Sequence, residues 1–73
     1  MDYEEFLKNF GIRVKYLRLM KNMTQERLAE QLKVDTHYLS DIERGRRNIS
    51  FKTMYKIFSA LNIEPKVLFN FEQ

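Results

Sequence analysis

The chain is expected to fold as an all-α protein, for three reasons. Its apolar residues recur at helical spacing, it has no alternating strand-like runs, and only two glycines and one proline interrupt its 73 residues. That length makes one domain, residues 1–73, and it limits burial to roughly 60 % of the surface an unfolded chain exposes. A core of this size is marginal, and a dimer partner is a natural source of further burial.

The first helix is expected from Tyr3 or Glu4 to Lys21. Phe6, Phe10, Val14 and Leu17 follow at intervals of four, four and three, which is one face of a helix. Asp2, Glu4 and Glu5 complement the positive end of its dipole, and Lys21 complements the negative end. Gly11 lies inside it, at a cost of up to about 1 kcal/mol relative to Ala. It serves either to admit a close neighbour or to let the helix bend. Asn22 suits a left-handed stop, and Met23 turns inward. Met20, Met23 and Met54 read as core fillers.

The stretch Thr24 to Gly45 organises the rest. It reads as two short helices joined by a tight turn. Leu28, Ala29 and Leu32 repeat on the first, and Leu39 and Ile42 on the second. Thr24 and Asp35 are natural N-caps, since a side-chain oxygen there accepts from a free amide of the first turn. Val34 plugs the angle between the helices. Ala29, with nothing beyond Cβ, lets the second helix cross close above it. Gly45 follows Arg44 at the usual place for a left-handed stop. The second helix carries a polar face of Thr36, His37, Ser40, Asp41 and Arg44. A buried hairpin has no use for such a face, nor for the basic run Arg44, Arg46 and Arg47 at its end.

A loop follows, anchored by Ile49. Ser50 caps a fourth helix, Phe51 to Leu61, with Met54, Ile57, Phe58 and Leu61 on its inner face. Asn62 ends that helix. Glu64 and Pro65 begin a short fifth one, where Pro fits the first helical position and Ile63 can staple against Leu68. The closing segment around Val67, Leu68, Phe69 and Phe71 is more apolar than a small bundle can hide. Leu68 and one Phe are expected to complete the core. The rest leaves a patch of the kind that marks association. Ile63, Val67, Phe69 and Phe71 are therefore the expected surface of a symmetric homodimer.

Composition narrows the function. Without cysteine there is no disulfide framework and no thiolate metal site. One histidine makes a zinc or catalytic constellation improbable. No metal or cofactor is expected, and no enzymatic activity: paired acids with a base, a metal set and a phosphate loop are all missing from the sequence. No apolar run approaches the ~18 residues of a membrane span, and the N-terminus is acidic, unlike a signal peptide. A cytoplasmic location is expected. Charge is more telling in its distribution than in its net value of +3. Between Arg44 and Ile63 stand five basic residues (Arg44, Arg46, Arg47, Lys52, Lys56) and no acid. Lys8, Arg13, Lys15, Arg18 and Lys21 add to this from the first helix. Such a field suits a polyanion, although a solvated surface has the same composition.

Several strings taken together resemble a known family. They are Leu17-Arg18-x-x-Lys21, Thr-Gln-Glu-x-Leu-Ala at Thr24 to Ala29, Ser-x-Ile-Glu-x-Gly at Ser40 to Gly45, Arg47-Asn48, and Ala-Leu-x-Ile at Ala60 to Ile63. In this order they resemble the phage-repressor and Cro (XRE-type) helix-turn-helix transcription regulators, over about residues 10 to 70. The run from Tyr38 to Ser50 is similar to that of restriction–modification controller proteins within that family. The resemblance implies a compact five-helix, lambda-repressor-like domain that binds double-stranded DNA as a dimer on a two-fold related operator. It also implies roles. Thr36, His37, Ser40 and Asp41 would face base edges. Gln25, Arg44, Arg46, Arg47, Asn48 and Lys52 would lie along phosphates. Tyr38 would either offer its hydroxyl to a phosphate or be partly buried against the second or fourth helix, and Asp41 would either read a base or pair with Arg44 or Arg46. Arg18 and Glu43 would form a partly buried structural salt bridge between the first and third helices. Lys33 departs from the family, which often has Gly at that turn; a left-handed Lys is strained by about 1 kcal/mol. No small-molecule effector is expected. A second functional class also fits the residues: an antitoxin or anti-repressor module that binds a protein partner through the apolar C-terminal segment.

Overall fold

The computed structural model describes residues 1–72 and contains five helices: α1 (Tyr3–Met20), α2 (Gln25–Leu32), α3 (Thr36–Glu43), α4 (Phe51–Leu61) and α5 (Pro65–Leu68). Local chemistry sets nearly every boundary. Thr24 accepts from the Arg27 amide at 3.0 Å, Asp35 from Tyr38 at 2.8 Å and Ser50 from Thr53 at 3.1 Å. Asp2 does more than complement a dipole. It accepts from the Glu5 amide at 2.8 Å while its own amide donates to Glu5 Oε1 at 3.3 Å, a reciprocal capping box. Asn22, Lys33, Gly45 and Asn62 all have positive φ, at 57°, 61°, 74° and 55°. Each lies just past the end of a helix, where a left-handed residue lets amides turn back onto orphan carbonyls. Lys33 is the one among them with neither the freedom of Gly nor the short polar side chain of Asn. Lys33→Gly is expected to raise stability by about 1 kcal/mol, read as a higher urea midpoint with an unchanged m-value.

One core joins the helices. Phe10, Val14 and Leu17 of α1 meet Leu28, Ala29 and Leu32 of α2, Leu39 and Ile42 of α3, Ile57 and Leu61 of α4, and Leu68 of α5. Met23 and Met54 pack against this core from its margin. Met20 does not: it is 63 % exposed, because it lies on the outer side of α1 with Ile12, Tyr16 and Leu19. Arg13 also departs from expectation. It is buried, and its Nε donates to the carbonyl of Val67 at 2.8 Å, so it ties α5 to α1 instead of adding to an outer basic field.

The C-terminal segment is less free than its composition suggests. Leu68 is fully buried, while Ile63, Val67 and Phe71 are half-buried. The Phe69 and Phe71 rings pack on Phe6 with centroids 6.4 and 5.7 Å away, and Phe69 lies 5.9 Å from Phe10. Of the four residues expected at a dimer surface only Phe69 is exposed. It borders a groove of about 390 Å³, lined also by Tyr3, Phe6, Leu7, Phe10, Ile49, Phe51 and Met54. Phe51, on the rim of that groove, is 87 % exposed. No helix among the described residues is long and apolar enough to cross a membrane.

Candidate nucleic-acid interface

The helix α3 is amphipathic over only two turns. Leu39, Ile42 and Glu43 are buried, and Thr36, His37, Ser40 and Asp41 occupy the remaining face. Three features hold it in place. Its N-terminus is capped by Asp35, its apolar residues enter the core between α1 and α2, and its last turn is clamped by ions.

The clamp is built on Glu43. Arg18 Nε donates to Glu43 Oε2 at 2.7 Å and Arg18 Nη2 to Oε1 at 3.1 Å. Both side chains are nearly sealed from solvent. The remaining guanidinium nitrogen, Nη1, donates to the Met23 carbonyl at 2.8 Å, and Gln25 Nε2 donates to Glu43 Oε1 at 2.9 Å. Every strong donor and acceptor in this charged cluster therefore has a partner, which makes its burial tolerable. One cluster thus links α1, the start of α2 and the end of α3. Gln25 braces α3 from the first position of α2, where backbone amides point outward and favour an anion.

The outer face is polar and uneven. His37 projects furthest, with 81 % of its side chain exposed. Thr36 and Ser40 are half-buried. The Asp41 carboxylate is only 16 % exposed, and Arg47 Nε lies 3.5 Å and His37 Nε2 3.9 Å from its Oδ2. Neither Arg44 nor Arg46, the partners expected for Asp41, makes this contact. The left-handed Gly45 turns the chain so that the Arg46 amide donates to the Asp41 carbonyl at 2.9 Å, and the next residue is the one that meets the carboxylate. The Arg47 guanidinium also lies over the Tyr38 ring, 4.9 Å from its centroid. Tyr38 is half-buried and packs against the core with its ring. Arg44, Arg46, Asn48 and Lys52 are exposed around this face. Among the described residues, no group of acids and histidine is arranged to hold a metal ion.

Sequence and structure comparisons agree with this architecture. A helix-turn-helix family model, HTH_3, matches residues 14–68. The control protein C.BamHI of Bacillus amyloliquefaciens is 48 % identical over 63 residues, spanning 85 % of this chain and 78 % of that protein. The control protein C.MunI of a Mycoplasma species is 40 % identical over 62 residues, 84 % of each chain. Among solved structures, the restriction–modification controller protein C.AhdI of Aeromonas hydrophila superposes with a TM-score of 0.83 at 43 % identity, covering 86 % of this chain and 96 % of that one. With a family model over most of its length, near-full-length relatives and a shared five-helix fold, this chain belongs to the HTH_3 helix-turn-helix family of XRE type.

Proposed function

We propose that this protein is a sequence-specific double-stranded DNA-binding transcription regulator that acts as a homodimer on a pseudo-palindromic operator and controls a restriction–modification system. One observation carries the reading: a short helix presents Thr36, His37, Ser40 and Asp41 outward, with its inner side clamped by Arg18, Glu43 and Gln25. Base reading in a major groove requires such a helix, rigidly held and reached from its N-terminal half. The control-protein names of the relatives support the narrower assignment.

The roles follow from side-chain chemistry. Thr36 and Ser40 can hydrogen-bond either kind of base edge, and Thr36 can touch a thymine methyl. His37 can donate to guanine, and Asp41 can accept only from cytosine N4 or adenine N6. Arg44, Arg46, Asn48 and Lys52 supply phosphate contacts, joined by the Tyr38 hydroxyl and the amides beside Gln25. Exposed Phe51, which lines the apolar groove together with Phe69, extends the dimer surface beyond Ile63, Val67, Phe69 and Phe71. A two-fold pair would set the two α3 helices about 34 Å apart, one turn of duplex. The setting is the cytoplasm, and no small-molecule effector is involved.

Selection of bound duplexes from a random pool tests this reading, with sedimentation at the same concentration. A dimer and two inverted half-sites about 10 base pairs apart are expected, with affinity falling steeply between 50 and 200 mM salt (on the order of 10³-fold or more). A His37→Ala, Asp41→Ala double variant should select a different or weaker sequence while melting like the wild type. An unchanged consensus would remove the reading face. The second reading, a protein-interaction module that binds a partner through the C-terminal segment, draws on exposed Phe69 and the apolar groove it borders. Tight binding to a partner protein with no retention of DNA at low salt would favour it.

A further inference from the structure

Asp41 presents a difficulty for any DNA-binding face. A carboxylate beside two strands of phosphate is repelled, and an acceptor-only group gains from a base solely where an amino proton meets it. Its surroundings answer this. Both close contacts, from Arg47 and from His37, fall on Oδ2, and Arg47 brings a permanent positive charge to it. The central carbon of the Arg47 guanidinium lies over the ring of Tyr38, which is itself packed against the core. A guanidinium held over an anchored ring loses less freedom in making the ion pair than one with no ring beneath it.

We propose that Arg47 is a positioning residue for base selection: held over Tyr38 and paired with Oδ2 of Asp41, it holds that carboxylate on the reading face with Oδ1 left to accept a base amino proton. The assignment rests on the DNA-binding reading above. It gives Arg47 a task unlike that of Arg44 and Arg46, whose side chains make no contact with the Asp41 carboxylate and serve as phosphate contacts. Arg47 offsets the charge of Asp41 as the duplex approaches, so the carboxylate need not be protonated or turned away. It also fixes which oxygen is offered, and so favours cytosine or adenine at one position of each half-site over guanine or thymine, whose major-groove edges present acceptors.

The test compares base preferences of the wild type with those of Asp41→Ala, Arg47→Ala, Arg47→Lys and Asp41→Ala with Arg47→Ala, by selection from a randomised duplex pool. Asp41→Ala should flatten one position in each half-site. Both Arg47 variants should lower the preference at that same position about tenfold and leave the others as they were. Lysine should fail there because it keeps the charge but lacks the flat face and the Nε donor. The double variant should match Asp41→Ala alone. Tyr38→Phe, which retains the ring but loses the hydroxyl offered to a phosphate, should keep the preference while weakening all sequences alike. A simple phosphate clamp behaves differently. Arg47→Ala would then weaken all sequences alike and reduce the salt slope by about 0.9 per protomer, and Arg47→Lys would resemble the wild type; that outcome overturns the proposal. So does an Asp41→Ala variant with the wild-type preference. A wild type that selects no sequence would overturn the DNA-reading function together with this assignment, whereas the clamp outcome overturns this assignment alone.

Discussion

Gly11→Ala is expected to destabilise the fold by about 3 kcal/mol, although the same change in an exposed helix stabilises by about 1 kcal/mol. The reversal comes from the neighbour. A Cβ on Gly11 would stand 2.4 Å from the Ile42 carbonyl oxygen and 2.6 Å from that of Glu43. These are backbone atoms, so no rotamer change relieves the contact. The Ile42 oxygen also accepts from the Gly45 amide at 3.0 Å, which closes α3. The methyl must therefore push α1 and the last turn of α3 apart. That turn carries Glu43, so the clamp lengthens as the helices separate. A lower urea midpoint and weaker DNA binding at temperatures where the variant is still folded are the expected readings. A variant as stable as the wild type would mean that α1 and α3 do not touch backbone to backbone. Gly45 is constrained in two ways at the other end of the same contact: its φ is 74°, and a Cβ there would lie 2.8 Å from Lys8 Cα. Both glycines of the chain thus serve one helix pair.

Glu43→Ala is expected to have a comparable or larger effect, a loss of about 3–5 kcal/mol. Truncation removes the acceptor of two Arg18 bonds and one Gln25 bond. Arg18 stays buried, with the Met23 carbonyl as its remaining hydrogen-bond partner. A charge left in that state is worse than no ion pair, because its desolvation is no longer offset. For a small domain of roughly 5–15 kcal/mol total stability, the loss is a large fraction of the whole. The control is a double change, Arg18→Met with Glu43→Leu. It should be more stable than Glu43→Ala, because the two charges leave together. Chemical denaturation of the three chains decides the matter. If Glu43→Ala costs less than about 1 kcal/mol, the pair is solvated and the bracing of α3 rests on apolar contacts alone.

The five helices were legible because their ends are local. Thr24, Asp35 and Ser50 bond amides three residues on, and Asn22 and Asn62 turn the chain within their own dihedrals. No distant residue is needed for either. The Asp2 to Glu5 capping box was equally local, and its Asp-x-x-Glu spacing was the signal that dipole reasoning passed over. Met20 failed for a different reason. A hydrophobic residue near the end of a helix can fall on either side of the boundary between core and solvent, and a rotation of one position decides which.

Cations were the harder case. Arg13, Arg18, Arg44 and Arg47 are one residue type on one short chain. Arg13 bonds a carbonyl near α5, Arg18 enters a buried ion pair, Arg44 faces solvent and Arg47 lies on a tyrosine. Each outcome depends on what another segment brings opposite. The aromatic tail shows the same dependence: it looked free as a string, but Phe6 lies where Phe69 stacks on it and Phe71 meets it edge-on.

By itself, the amino-acid string determined helix number, caps, stops and the outward polar set on α3, since these depend on neighbours within about four residues. The Arg18–Glu43 pair was expected from the family resemblance; only the tertiary structure decided that Arg13 is buried, that Arg47 is the cation beside Asp41, and that Gly11 admits the end of α3. Those choices are made by contacts between segments far apart in the chain, and no local spacing encodes which partner will stand across the gap.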